Sequence, residues 1–359
     1  MPSLNFVTID IGAESGRVML ARLDDRALRL EEAYRFSNGP VRVLDSLHWD
    51  PLRLFDEIKH GLAACAQPSG RAVSGIGIDT WGVDFAVLGR DDELLGNPFH
   101  YRDRRTTGMM ERAFRRVPKE VIFERTGIQF MPINSLYMLL SMSESPALEA
   151  AKTFLMIPDL FNFWLSGLKA CEFTDATTTQ LYDQRAGDWA RELIDKLGLP
   201  SHIFLPVTQP GAVLGPILHP VSEEVGLDAM PIIAPACHDT GSAVAAVPAR
   251  VKDYAYISSG TWSLVGVELD APIITPQSLA YNFTNEGGVS GTVRFLKNVM
   301  GLWLVQECRR EWAQAGEALT YADLTDIAER AAPFRSFVDP DDEVFLRPGD
   351  MPSRLRNYC

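Results

Sequence analysis

The chain is poor in cysteine, short of basic charge and without long apolar runs, and each shortage closes off a class of function. Its five cysteines, Cys65, Cys171, Cys237, Cys308 and Cys359, are scattered and odd in number among 359 residues. Their spacing matches neither a metal site nor a disulfide framework, so reduced thiols are expected. Lys and Arg number 34 against 47 Asp and Glu, giving a formal net charge of −13 and a sequence pI near 5.0. No global basic field is available, which argues against nucleic acid as the partner. No apolar run is long enough to span a bilayer. The N-terminus enters a strand almost at once, without a signal-peptide pattern. The expectation is a cytoplasmic protein with neither nucleic acid nor membrane as its partner.

A large apolar fraction is present. At 46% of 359 residues it supports a sizeable core, and the length points to two domains. The chain opens on an apolar strand, Phe6-Val7-Thr8-Ile9-Asp10-Ile11, followed by the small-residue turn Gly12-Ala13-Glu14-Ser15-Gly16. A second strand-like run, Arg17 to Leu23, follows, and then an alternating one from Leu28 to Phe36. Unlike phosphate loops that lead into a helix, this glycine loop sits at a hairpin tip. Backbone N–H groups there can form an anion-binding nest. Asp10, at the strand end, is a candidate to hold a divalent cation beside the phosphates. An ordinary hairpin turn is the alternative.

Asp50-Pro51 is a helix start, and Leu52, Phe55, Ile58, Leu62 and Ala66 recur at helical spacing. Val73 to Asp79 is a buried strand, Thr80-Trp81-Gly82 a turn, and Val83 to Leu88 another strand. Residues 104–170 are expected to be mostly helical, Asp188 to Leu197 a helix, and Leu296 to Ala315 a long helix. Phe161, Phe163, Trp164 and Leu165 are expected in the core. Tyr254 to Val267 repeats the opening design of strand, Ser/Gly turn and strand. The domain boundary is placed near Pro248, giving domains 1–247 and 248–359.

Two phosphate-type hairpins, one opening each domain, suggest a nucleotide held in an interdomain cleft, where the strand-end carboxylates Asp10, Asp79 and Asp239 converge. Phosphoryl transfer needs positioning, charge neutralisation by Mg²⁺ and a base for the incoming hydroxyl. Asp239 is the candidate base, at a strand-to-helix corner; a helix N-cap is the alternative. His238 can bind a substrate hydroxyl or be a satisfied structural histidine. Trp81 can stack on a sugar face, with the Gly82 backbone near a hydroxyl, or fill core. Lys297 and Asn298 are placed at a helix start from which they can reach the site, or serve as surface groups. Arg102, Arg104 and Arg105 are read as an exposed basic face.

The motifs, taken jointly, resemble those of the FGGY carbohydrate kinases. The matching stretches include Asp10 to Arg17, Ile78-Asp79-Thr80-Trp81-Gly82-Val83-Asp84-Phe85, Tyr101 to Thr106 and Thr177 to Leu181. Further on come His238-Asp239-Thr240, Ser258 to Leu264, Thr284-Asn285-Glu286-Gly287-Gly288 and Leu296-Lys297-Asn298 to Leu304. They occur in family order over nearly the whole chain. The resemblance implies an α/β, actin-like fold of duplicated ribonuclease-H-like domains with an interdomain cleft. The N-terminal domain would bind sugar and the C-terminal domain nucleotide. Because family members continue past the equivalent of Cys359, the second domain is expected to be incomplete here.

The resemblance further implies ATP-dependent phosphorylation of a ketose, L-rhamnulose at its C1 hydroxyl, with Mg²⁺, in L-rhamnose catabolism. L-fuculose or L-xylulose as the ketose, or an incomplete sugar-binding fragment, are the alternatives. Carried over, Ala13, Glu14, Ser15, Gly16 and Arg17 would touch ATP phosphates. Thr261 and Gln306 would also serve ATP. Gly82, Trp81, His238, Asp239, Thr240 and Asn298 would serve the sugar, with Asp239 the proton acceptor and Asp10 the Mg²⁺ partner.

Overall fold

The computed structural model describes residues 4–70 and 73–359. They fall into two units, one of Met1–Tyr254 with Val267–Leu296 and the other of Ala255–Gly266 with Lys297–Cys359. The first unit is built on a six-stranded sheet. Its strand order is Val213–Pro216, Pro231–Ile233, Gly75–Thr80, Leu4–Ile11 (β1), Ser15–Leu23 (β2) and Leu28–Ser37 (β3). The last three form an antiparallel meander, while Gly75–Thr80 runs parallel to both of its neighbours. Alternation decides the register: Val7, Ile9 and Ile11 on β1 and Val18 and Leu20 on β2 are essentially fully buried. Each such side chain contributes roughly 1.5–3 kcal/mol of burial.

The helix Pro51–Ala66 (α1) begins as its sequence dictates, with the Asp50 carboxylate accepting from the Arg53 N–H and Pro51 in the first turn. Its buried face is Pro51, Leu54, Ile58, Gly61, Leu62, Cys65 and Ala66. Leu52 is 62% exposed, so the expected stripe is rotated by two residues there. Gly61 is where the helix meets β2, since a Cβ at this position would lie 2.2 Å from Cγ2 of Val18.

Residues 104–170 are mostly helical, with one strand the spacing did not reveal, Thr153–Met156, paired antiparallel with Phe85–Leu88. Phe161 and Leu165 are fully buried, and Phe163 and Trp164 are half-buried. The segment expected as a helix from Asp188 divides into a short strand, Asp188–Trp189, and a helix, Arg191–Lys196.

In the second unit, Ala255–Ser259 and the strand beginning at Trp262 are hydrogen-bonded neighbours, as the repeated hairpin pattern predicts. The helix expected to start at Leu296 does not. Val293–Met300 is a strand and the helix is Trp303–Gln314. Val293, Leu296, Asn298 and Met300 are buried, with half-buried residues between the last three, which is strand rather than helix periodicity. Asn298 is therefore strand-borne, and so is Lys297. A small core holds this unit together: Met300, Trp303, Cys308, Phe345 and Met351, with Trp262 and Trp312 against it. The Trp303 indole N–H donates to the Phe345 carbonyl at 2.8 Å.

Candidate active site

The carboxylates Asp10, Asp79 and Asp239 are brought together by strand register. Asp10 and Asp79 are paired neighbours on parallel strands. On the other side of Gly75–Thr80, the chain beyond Pro231–Ile233 continues the parallel pairing, with Thr80 bridged to His238 and its N–H donating to the Cys237 carbonyl at 2.9 Å. Asp239 then opens the helix Asp239–Ala245. Burial, then Asp10 and Asp239, push the Asp79 carboxyl well above the carboxylate range. Burial, then Asp10, raise Asp239 to about 6. The Asp239 side chain nevertheless keeps 36% of its surface open, so a hydroxyl can reach it. It is the first residue of the helix rather than its N-cap, which is His238. One oxygen, Oδ1, accepts from the Thr240 N–H at 2.5 Å and the Thr240 hydroxyl at 3.2 Å.

The opening hairpin places Gly12, Ala13, Glu14 and Ser15 at its tip, each half-buried. The Gly12 N–H donates to the Ser15 carbonyl, and Asn38 braces the turn through its backbone N–H to Glu14 O and its amide to Gly12 O, both at 2.8 Å. Gly16 lies beneath the Phe36 ring, where a Cβ would come within 2.1 Å of the ring. Arg17 lies across from Asp10 in the register, and its Nε and Nη2 reach Asp10 Oδ2 at 2.8 and 2.7 Å. Among the described residues, no cluster of three or more His, Cys, Asp or Glu forms a metal cage.

The Trp81–Gly82 turn is locked by Asp84. This fully buried carboxylate accepts from the Trp49 indole at 2.5 Å and the Trp81 indole at 2.8 Å, and the two rings lie 4.0 Å apart. Burial raises its carboxyl to about 7 against those donors. Trp81 is 6% exposed. Gly82 faces Thr178 and Asp175; a Cβ on it would stand 3.0 Å from the Thr178 methyl. Val83 has φ of 69°, an outlier for a β-branched residue. Its backbone is pinned there by the hydroxyls of Thr178 and Ser135.

Buried acids that sequence reasoning passed over hold the His238–Asp239 corner. Glu172 accepts from the N–H groups of Thr174, Asp175 and Cys237 and from the Thr174 hydroxyl, and Thr174 accepts from the His238 N–H. Asp159 in turn accepts from the Glu172 N–H. Glu172 is raised to about 7, chiefly by burial. Within the Tyr101 to Thr106 stretch, only Arg104 is exposed, pairing with Asp45 at 2.7 Å. Arg102 is 3% exposed, contrary to the expected basic face, and the Arg105 guanidinium lies over the Phe99 ring. Their neighbouring aromatic rings, Phe99 and Tyr101, cover them.

Thr261, Asn298 and Gln306 belong to the second unit. Thr261 sits in the turn of its hairpin, and its carbonyl accepts from the N–H groups of Gly301 and Trp303. Asn298 and Gln306 are 9% and 7% exposed.

With this geometry in place, comparison with known proteins is specific. The model of the N-terminal domain of the FGGY family of carbohydrate kinases matches residues 6–246, and that of the C-terminal domain matches residues 255–359. A rhamnulokinase from Bacteroides thetaiotaomicron is 44% identical over 357 residues, which cover 99% of this chain and 73% of that protein. One from Pectobacterium carotovorum is 42% identical, covering 99% of this chain and 70% of that protein. Among solved structures, a ligand-bound xylulose kinase from Lactobacillus acidophilus superposes with a TM-score of 0.76 at 21% identity. A glycerol kinase with ADP from Plasmodium falciparum does so with 0.70 at 15%. In both cases the match covers 91% of this chain and 66% of the other.

Proposed function

The chain belongs to the FGGY family of carbohydrate kinases, with its actin-like, duplicated ribonuclease-H-like fold, and from that premise we propose that it phosphorylates L-rhamnulose at O1 with ATP, giving L-rhamnulose 1-phosphate and ADP. The observation that carries the substrate is identity: curated relatives matched over 98–100% of this chain at 37–44% identity are named rhamnulokinases. The solved neighbours, at about half that identity, speak to fold alone. We read the protein as a cytoplasmic enzyme of L-rhamnose catabolism, with residues 1–247 binding sugar and 248–359 nucleotide.

In this reading Asp239 is the general base. Its carboxylate takes the O1 proton as that oxygen attacks the γ-phosphorus, the bond to the β-phosphate oxygen breaks, and ADP leaves. A pKa near 6 suits the task, since the group is ionised at neutral pH yet basic enough to accept a proton. Gly82, Trp81, His238, Thr240 and Asn298 orient the sugar. The Asp84 lock on Trp81 and the Glu172 network under His238 give those groups rigid support. Ala13, Glu14, Ser15, Gly16 and Arg17 hold the phosphates, and Thr261 and Gln306 serve the rest of ATP. Asp10 offers one carboxylate, which fits Mg²⁺, an ion that takes one or two protein carboxylates plus waters and phosphate oxygens. Bound there, the ion would neutralise charge on the transferring phosphoryl group.

The test is Asp239→Asn. Rhamnulose binding, measured by calorimetry, stays within a few-fold of wild type, while ADP release with rhamnulose falls by roughly 10²–10⁴-fold. Near-normal turnover would remove Asp239 from the role of base. Preference for L-fuculose or L-xylulose in a ketose panel would overturn the substrate.

A further inference from the structure

A fully buried arginine stands behind the proposed base. Arg294 is 0% exposed. It lies directly across the Thr284–Gly287 and Val293–Met300 hairpin from Glu286, which is 4% exposed. Its Nε donates to the Gly287 carbonyl at 2.8 Å, and its Nη1 stands 3.4 Å from Glu286 Oε2. The hairpin is pressed onto the Thr-rich segment behind the His238 corner, with the Gly287 N–H donating to the Thr177 hydroxyl at 2.7 Å and no room for a Cβ beside Phe173. Burying an ion pair is expensive and adds little stability over apolar residues of the same size. Its use is better sought in what it touches.

It touches His238. Nη2 of Arg294 is 3.1 Å from His238 Nδ1, and the other ring nitrogen, Nε2, is 3.3 Å from Asp239 Oδ1. A guanidinium only donates hydrogen bonds, so a ring nitrogen facing it must offer its lone pair. Glu286 Oε2 lies 3.4 Å from the same Nδ1 and would favour a proton there. That proton, however, would oppose the closer Arg294 N–H, donor against donor at 3.1 Å. The lone pair thus belongs on Nδ1 and the proton on Nε2, the ring nitrogen 3.3 Å from Asp239 Oδ1. Oδ1 accepts from the Thr240 N–H and hydroxyl, and His238 Nε2 stands beside that same oxygen. Among the described residues, no protein donor is assigned to Oδ2.

We propose that Arg294, paired with Glu286, is a positioning residue: it fixes His238 as the neutral Nε2–H tautomer, which engages Oδ1 of Asp239 and leaves Oδ2 as the oxygen that receives the substrate proton. The assignment rests on the reading of Asp239 as base. Burial, then the Arg294 charge, hold the His238 imidazolium well below its ordinary range, in keeping with a neutral ring. It also separates two duties of one carboxylate: Oδ1 is held by the protein, while Oδ2 meets the sugar.

The test reads the tautomer directly. The protein, labelled with ¹⁵N-histidine, gives long-range ¹H–¹⁵N correlations for its six histidines, and His238 is assigned by the signal lost in His238→Gln. The expected result is an Nε2–H pattern for His238 from about pH 6 to about pH 8, across the range where a free imidazole titrates. An Nδ1–H pattern, or an imidazolium anywhere in that range, overturns the proposal, and the wild-type protein alone suffices for this measurement. A paired replacement, Arg294→Met with Glu286→Leu, leaves no uncompensated buried charge. It should release His238 into mixed tautomers and lower kcat about tenfold while KM for rhamnulose moves less than about threefold. An unchanged tautomer or an unchanged kcat in the folded double variant would also overturn it. Failure of the base assignment shows separately, as turnover retained in Asp239→Asn with the Nε2–H pattern intact.

Discussion

Asp84→Asn isolates the electrostatics of the Trp81–Gly82 lock. The Asp84 carboxyl is fully buried and raised to about 7, because burial outweighs the donors Trp49, Trp81 and Tyr101. A free Asp titrates near 4, so between about pH 4 and about pH 7 the folded state holds a proton that the unfolded state has lost. The stability this group contributes is full below the ordinary carboxylate pKa and is lost as pH rises through about 7. At about 1.4 kcal/mol per pH unit over roughly three units, wild type loses about 4 kcal/mol from this one site. Asn does not titrate. Its carbonyl can still accept from both indoles, but its amide takes the place of Oδ1, which has no partner among the described residues, at a cost of about 1–3 kcal/mol. Asp84→Asn should therefore be less stable than wild type by about 1–3 kcal/mol near pH 4 and more stable by a similar amount near pH 8. Urea unfolding of both proteins at matched pH, followed by far-UV circular dichroism, measures the difference, in which other titrating groups cancel. A difference that stays constant within about 0.5 kcal/mol over that range would refute the reasoning, leaving Asp84 ionised throughout.

Three further outcomes follow from the same geometry. With Asp239 raised to about 6 and active as the carboxylate, kcat should fall about tenfold between about pH 7 and about pH 5 in a steady-state ADP-release assay; a flat acid limb would place the base elsewhere. Gly61→Ala gains helix propensity but drives a methyl to 2.2 Å from Val18 Cγ2, so it should destabilise by about 1–3 kcal/mol in urea unfolding, and Val18→Ala in the same chain should restore most of the loss. Phe345→Ala empties the centre of the second unit's core and should cost about 3–5 kcal/mol there, read as faster proteolysis within residues 297–359 while hydrogen exchange in the Leu4–Ile11 strand is unchanged.

Where periodicity is strong and local, sequence and structure agree. The Leu4–Ile11 and Ser15–Leu23 hairpin, the helix start at Asp50-Pro51 and the second hairpin are all legible because alternation, caps and small-residue turns are properties of neighbouring residues. The helix expected at Leu296 shows the limit. Apolar residues on both sides of Gly301 satisfy a helical template, while burial in Val293–Met300 follows a period of two that only sheet pairing explains. Arg294 looks like surface charge in a sequence and is buried, because the His238 that it meets comes from a distant part of the chain. Glu172 and Asp159 were unreadable for the same reason, since a buried acid bonded to backbone N–H groups carries no local signature.

By itself the sequence determined the family, the small-residue hairpins, the order of the motifs and the candidate carboxylates, all of which are encoded in short stretches. The family model matches over both halves of the chain support that reading. Only the tertiary structure decided which groups meet. Parallel register sets Asp10 beside Asp79, and a continued pairing carries His238 to Thr80. A hairpin from residues 284–296 delivers Arg294 to a histidine 56 positions away in the chain. Burial, then the nearby Asp10, raises Asp239 to about 6, and the two ring nitrogens of His238 meet different neighbours. The physical reason is that a carboxylate's basicity and a histidine's tautomer are fixed by burial and by the nearest charges, which the fold brings together from distant parts of the sequence.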